Sequence, residues 1–129
     1  MCRSCVTIID GVWNSLAKNQ MFKTPDEIQG VMFTISEVRA EDIRITPQNI
    51  IIKRQAFLEA IHYLKTNHHD KDHSINIQSS NNPNMSGHLC TVTREKNEGA
   101  RCINYILPIL SKHNLVGIKS TRPNKTWII

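Results

Sequence analysis

Aromatic side chains are scarce in this chain: three Phe, two Tyr and two Trp among 129 residues. Its core must therefore be built mainly from aliphatic residues, and an apolar share of 40% is enough for that. Glycine and proline are also sparse, five of each, which excludes a collagen-like chain. The composition equally excludes a coiled coil and wholesale disorder. The length fits one domain, or two very small ones that share a core, and leaves no room for a large multi-step catalytic machine.

Long apolar runs are absent. No segment approaches the roughly 20 residues that span a bilayer. The Val6–Ile9 run is shorter than the roughly 7–15 residues of a signal-peptide core. The expectation is a cytoplasmic protein with no membrane partner, whose cysteines are reduced. Cys2 and Cys5 form a C-x-x-C pair that suits half a zinc site. Cys90 and Cys102, with His88 nearby, do not supply the second close pair, so no bound metal is expected.

Acidic residues run short toward the C-terminus. Residues 1–66 hold eight basic and seven acidic side chains. From Gly87 onward there are seven basic residues, Arg94, Lys96, Arg101, Lys112, Lys119, Arg122 and Lys125, against Glu95 and Glu98. The net charge of +5 is thus equalled by the excess in the last third alone, the footprint expected of a partner that is a polyanion.

The periodicities predict an α+β protein. Val6, Ile9, Val12, Trp13 and Leu16 recur at helical spacing. Thr24-Pro25-Asp26-Glu27 has a helix-start pattern, with Gly30 as a stop, so one short helical turn is expected over 25–29. Residues 31–38, 42–46 and 50–53 read as a meander of two or three strands. Arg54–Thr66 is the clearest helix, with Phe57, Ile61 and Leu64 on one stripe. Residues 67–86 are polar and turn-rich, with Ile75 and Ile77 as a short strand. His88–Thr93 is a short helix or strand, followed by a charged, flexible stretch to Gly99. Ala100–Asn114 reads as a helix, 115–120 as a strand, Arg122–Lys125 as a turn and 126–129 as a return strand.

The pattern helix, Asn114-Leu115-Val116-Gly117, strand, basic turn, strand resembles the back half of a winged helix-turn-helix. The resemblance extends to the helix at 54–66 and covers about residues 54–129, leaving 1–53 as an N-terminal helix-plus-meander module. It implies sequence-selective binding of double-stranded DNA, as a transcriptional regulator or as the recognition module of a DNA-processing, restriction-type system. It is compatible with a homodimer reading two half-sites. With Ile103, Ile106, Leu107 and Leu110 buried, Arg101, Asn104, Tyr105, Pro108 and Lys112 would project outward. Arg101, Asn104 and Tyr105 are then the candidate base readers, because Arg matches guanine and Asn matches adenine. Lys119, Arg122, Asn124 and Lys125 of the turn suit phosphate contacts or minor-groove insertion, and Arg94, Lys96 and Lys112 complete the candidate DNA-binding residues. Pro108 predicts a kink. The alternative is a winged helix that serves as a protein–protein adaptor without DNA.

Catalysis has little support. Pro25-Asp26 is present, but no later Asp-x-Lys or Glu-x-Lys completes a restriction-type Mg²⁺ centre. His69 and His73, four apart, would chelate a metal on a helix, and with His68 they form the alternative metal-dependent site. They follow a helix end, so a solvated loop is the expectation. No catalytic residue and no cofactor are assigned.

Overall fold

Period-two alternation buries one face of three successive strands. Phe33 and Ile35, Ile43 and Ile45, and Ile52 all point inward. A computed structural model describes residues 3–129. In it these strands are β2 (Met32–Val38), β3 (Asp42–Thr46) and β4 (Ile50–Lys53). A three-residue strand, β1 (Met21–Lys23), adds to the edge and gives an antiparallel sheet ordered β1-β2-β3-β4. The chain is α+β, with two antiparallel sheets and four α-helices among the described residues.

Helix α1 (Arg3–Ser15) buries Cys5, Ile9, Val12 and Trp13. Helix α2 (Arg54–Thr66) buries Ala56, Phe57, Ala60, Ile61 and Leu64, the i, i+3/i+4 stripe that its sequence predicts. The two helices pack together, with Trp13 edge-on to Phe57 at 5.1 Å. After α2 come a 3-10 turn at Lys71–His73, strand β5 (Ile75–Asn76) and a second 3-10 turn at Pro83–Met85. Then follow helix α3 (His88–Glu95), helix α4 (Ile103–Lys112), and strands β6 (Val116–Lys119) and β7 (Lys125–Ile128). The second sheet is ordered β5-β7-β6, so β7 returns between its two partners. Asn114 takes φ +57, ending α4 in the left-handed conformation. One hydrophobic cluster runs from Cys5 to Val116 and joins residues 3–53 to 54–129 in a shared core.

Several expectations need correction. Residues 25–29 form a turn, not a helical one. The Val31 N–H donates to Thr24 Oγ1 at 2.8 Å, and the Gln29 N–H donates to Asp26 Oδ2 at 2.7 Å. The residue types that cap helices close a loop here instead, because the chain must return into β2. The stretch 94–99 is anchored rather than flexible. Asn97 is only 3% exposed, and its Oδ1 accepts the Lys53 N–H at 2.8 Å while its Nδ2 donates to the Ile51 carbonyl at 3.2 Å. This carboxamide pairs with the edge of β4 much as a neighbouring strand would. Cys5 is disulfide-bonded, against the expectation of reduced cysteines, while Cys90 and Cys102 are free and buried. The other half of the expected C-x-x-C pair, Cys2, lies outside the described residues. Burial pushes the Cys102 thiol up to about 12. Among the described residues no helix is long and apolar enough to cross a membrane.

Candidate functional site

Helix α4 is buried on more sides than its expected stripe. Ile103, Ile106, Leu107 and Leu110 are buried as anticipated, but so are Tyr105 and Ile109. Tyr105 is 3% exposed, with its ring edge-on to Phe33 of β2 at 5.2 Å. The first sheet therefore lies against part of the face that was expected to point outward, and Tyr105 belongs to the core rather than to a DNA-reading surface. Lys112 is exposed, with its ammonium 5.3 Å from the centre of the Phe22 ring, a cation–π contact to β1.

Two further candidates have structural duties. Arg94 is 5% exposed and donates from Nη2 to the Ser80 carbonyl, tying the polar segment before α3 to that helix. This buried guanidinium is not placed to meet a phosphate. Asn124 donates from Nδ2 to the Ser120 carbonyl at 2.8 Å and closes the β6–β7 turn. Pro108 lies within the span of α4.

Helix α4 begins at Ile103 rather than at Ala100, so Arg101 lies in the loop before it and Asn104 in its first turn; both line a cavity of about 890 Å³. One wall is the β1–β2 loop, with Pro25, Asp26, Gln29 and Val31. Another is the segment Asn76–Ser79, and the β6–β7 turn supplies Arg122, Pro123 and Asn124. Asn104 Oδ1 and Ser79 Oγ are buried without a hydrogen-bond partner among the described residues. Both residues line the cavity, but these two oxygens are themselves shielded from solvent. No side-chain cap closes the N-terminus of α4.

A clamp crosses the cavity wall. Arg122 Nε and Nη2 donate to Asp26 Oδ1 and Oδ2 at 3.3 and 3.2 Å. The Glu27 N–H donates to the Ser120 carbonyl at 3.0 Å, so backbone also joins the β1–β2 loop to the β6–β7 turn. The Arg122 guanidinium, helped by the Gln29 N–H, holds the Asp26 carboxyl down to about 2. Arg122 is thus already partnered within the chain. Lys96 and Lys119 are exposed and Lys125 is half-buried. Lys119 and Lys125 stand directly opposite each other across the β6–β7 pair.

The histidine segment is built into the fold. His73 Nδ1 lies 2.8 Å from Asp70 Oδ1, and His69 Nδ1 lies 2.9 Å from the His73 carbonyl. The His69 ring stacks on Tyr63, and its carbonyl accepts the Ile128 N–H at 2.7 Å. The segment docks β7 onto the end of α2. Among the described residues no three His, Cys, Asp or Glu side chains converge as a metal site.

The fold thus defines the chain's class as an α+β protein with a helix–strand–helix–helix–strand–strand C-terminal segment. No family model matches the chain, and neither a curated protein nor a solved structure matches it significantly.

Sequence reasoning missed the cavity, the Asp26–Arg122 clamp and the anchoring role of Asn97. The local patterns that build them were visible, but each depends on residues more than forty positions apart.

Proposed function

We propose that the chain binds double-stranded DNA through a winged-helix segment, as a transcriptional regulator or as the recognition module of a DNA-processing system. The connectivity α2–β5–α3–α4–β6–β7, with the sheet order β5-β7-β6, carries this reading. On this reading the β6–β7 hairpin would be the wing, with Arg101 just before α4 and Asn104 in its first turn. The wing adds support. Like charges directly opposite on paired strands cost stability, and the Lys119–Lys125 pair accepts that cost beside an exposed turn. A phosphate backbone would offset it. The contact surface proposed here is the start of α4 plus the wing, with Arg101, Asn104, Lys119 and Lys125 as its members. Tyr105 and Arg94 are excluded from it by their burial.

The adaptor alternative also has an observation in its favour. Met21, Ile28, Val31 and Met32 are exposed apolar side chains on β1, on β2 and in the loop joining them. The two readings separate on duplex DNA at low and rising salt. A DNA binder loses affinity steeply as salt increases, whereas an adaptor shows no duplex binding at all.

A further inference from the structure

The cavity at the start of α4 has a chemistry that phosphate contacts do not need. Five carboxamide side chains line it: Gln29, Asn76, Gln78, Asn104 and Asn124. A carboxamide both donates and accepts, which matches the edge of a nucleobase and not the acceptor-only surface of a phosphate. Flat or apolar groups, Pro25, Val31, Ile77, Tyr105 and Pro123, complete the walls. The volume, about 890 Å³, falls in the range of pockets that enclose a small molecule. Asn76 and Gln78 are exposed on this wall, so their carboxamides are open to a ligand. Arg101 and Arg122 line the same space, and only Asp26 opposes them in charge.

We propose that this cavity binds a single nucleotide, with its base against the carboxamides of Asn76, Gln78 and Asn104 and its phosphate toward Arg101. The nucleotide has two sources with the same chemistry, a free mononucleotide or a residue swung out of a duplex held by the wing and the start of α4. The second source rests on the DNA reading above; the first does not. Extrusion is easiest for a mispaired base, because less pairing energy is given up.

The full chain is titrated with each deoxynucleoside monophosphate and with ribose 5-phosphate, and separately with a matched duplex and the same duplex carrying one mispair. Amide shifts in the NMR spectrum and calorimetric heats are read together. The free-nucleotide source predicts saturable binding of at least one mononucleotide, with ribose 5-phosphate at least about tenfold weaker. The duplex source predicts tighter binding of the mispaired duplex than of the matched one. Asn104→Leu should weaken either binding about tenfold. Asn76→Ala, at an exposed position, should weaken it less, with little disturbance of the fold, and serves if Asn104→Leu unfolds. Mononucleotide binding without duplex binding would uphold the cavity and reject the DNA reading. Matched-duplex binding with neither mononucleotide binding nor a mispair preference would uphold the DNA reading and overturn the cavity proposal. Equal binding of ribose 5-phosphate and mononucleotide, without a mispair preference, would also overturn it, because the site would then recognise only an anion.

Discussion

Arg122 grips Asp26 with two nitrogens, Nε and Nη2, at 3.3 and 3.2 Å, although 96 positions separate the two residues in the chain. The pair fastens the β6–β7 turn to the β1–β2 loop, and both residues line the cavity.

The clamp has a pH signature. The folded Asp26 carboxyl titrates at about 2, below its ordinary 3.8, chiefly because Arg122 favours the charged form. A depressed carboxylate pKa contributes stability above the ordinary value and loses it as pH falls through the folded one. The difference in Tm between the wild type and Asp26→Asn should be constant above about pH 5, shrink progressively as pH falls, and approach zero only near about pH 1. A carboxyl titration by NMR should find its midpoint near 2. A midpoint near 3.8 would mean that the ion pair does not form in solution.

Gly117 is required by Trp127. The two residues face each other across β6 and β7, and a Cβ on Gly117 would lie 2.2–2.5 Å from the indole. The clash is with a bulky ring held in a sheet, not with the tip of a flexible chain. Gly117→Ala should destabilise by about 1–3 kcal/mol, the usual cost of overpacking, and should move the Trp127 fluorescence. Urea unfolding measures the first effect, and an unchanged midpoint would contradict the packing described.

Asn97 substitutes for a strand at the edge of β4. Asn97→Ala leaves the Lys53 N–H and the Ile51 carbonyl without these partners. The expected loss is about 1–3 kcal/mol, from groups left unpaired in a buried place. Chemical denaturation provides the value. Amide exchange at Lys53 should quicken in the variant, and exchange at the wild-type rate would refute the bond.

Lys119 should have opposing effects on stability and binding. Replacing it with Thr removes the like charge opposite Lys125, so the free protein should gain about 0.2–1 kcal/mol. The same change should weaken duplex binding by a similar factor for all sequences and lower the salt slope by about one. Thermal melts and fluorescence anisotropy test the two arms. A stabilised variant with undiminished DNA affinity would remove the wing from the interface.

Local periodicity revealed much of this fold. The alternation in residues 31–53 and the stripe in 54–66 each predict an element that is present, because each buries one face against a single neighbour. β1 escaped because Met21-Phe22-Lys23 is too short to show a period, and its pairing with β2 settles its conformation. Thr24 and Asp26 misled because capping residues stabilise turns and helix starts by the same hydrogen bonds. α4 was legible as a helix but not in its burial. Tyr105 and Ile109, four apart, form a second apolar stripe, and what covers it includes Phe33, some seventy positions earlier. The cavity was illegible for the same reason: its walls come from four separate stretches of the chain.

The most direct measurement is the affinity of the full chain for duplex DNA as a function of salt. Duplex DNA should bind at low salt, with log affinity falling linearly with log salt at a slope near −0.9 for each phosphate neutralised. Several phosphates engaged by Arg101, Lys119 and Lys125 with their neighbours would give a slope of roughly −3 or steeper. No measurable duplex binding at low salt, or binding indifferent to salt, would contradict the DNA reading.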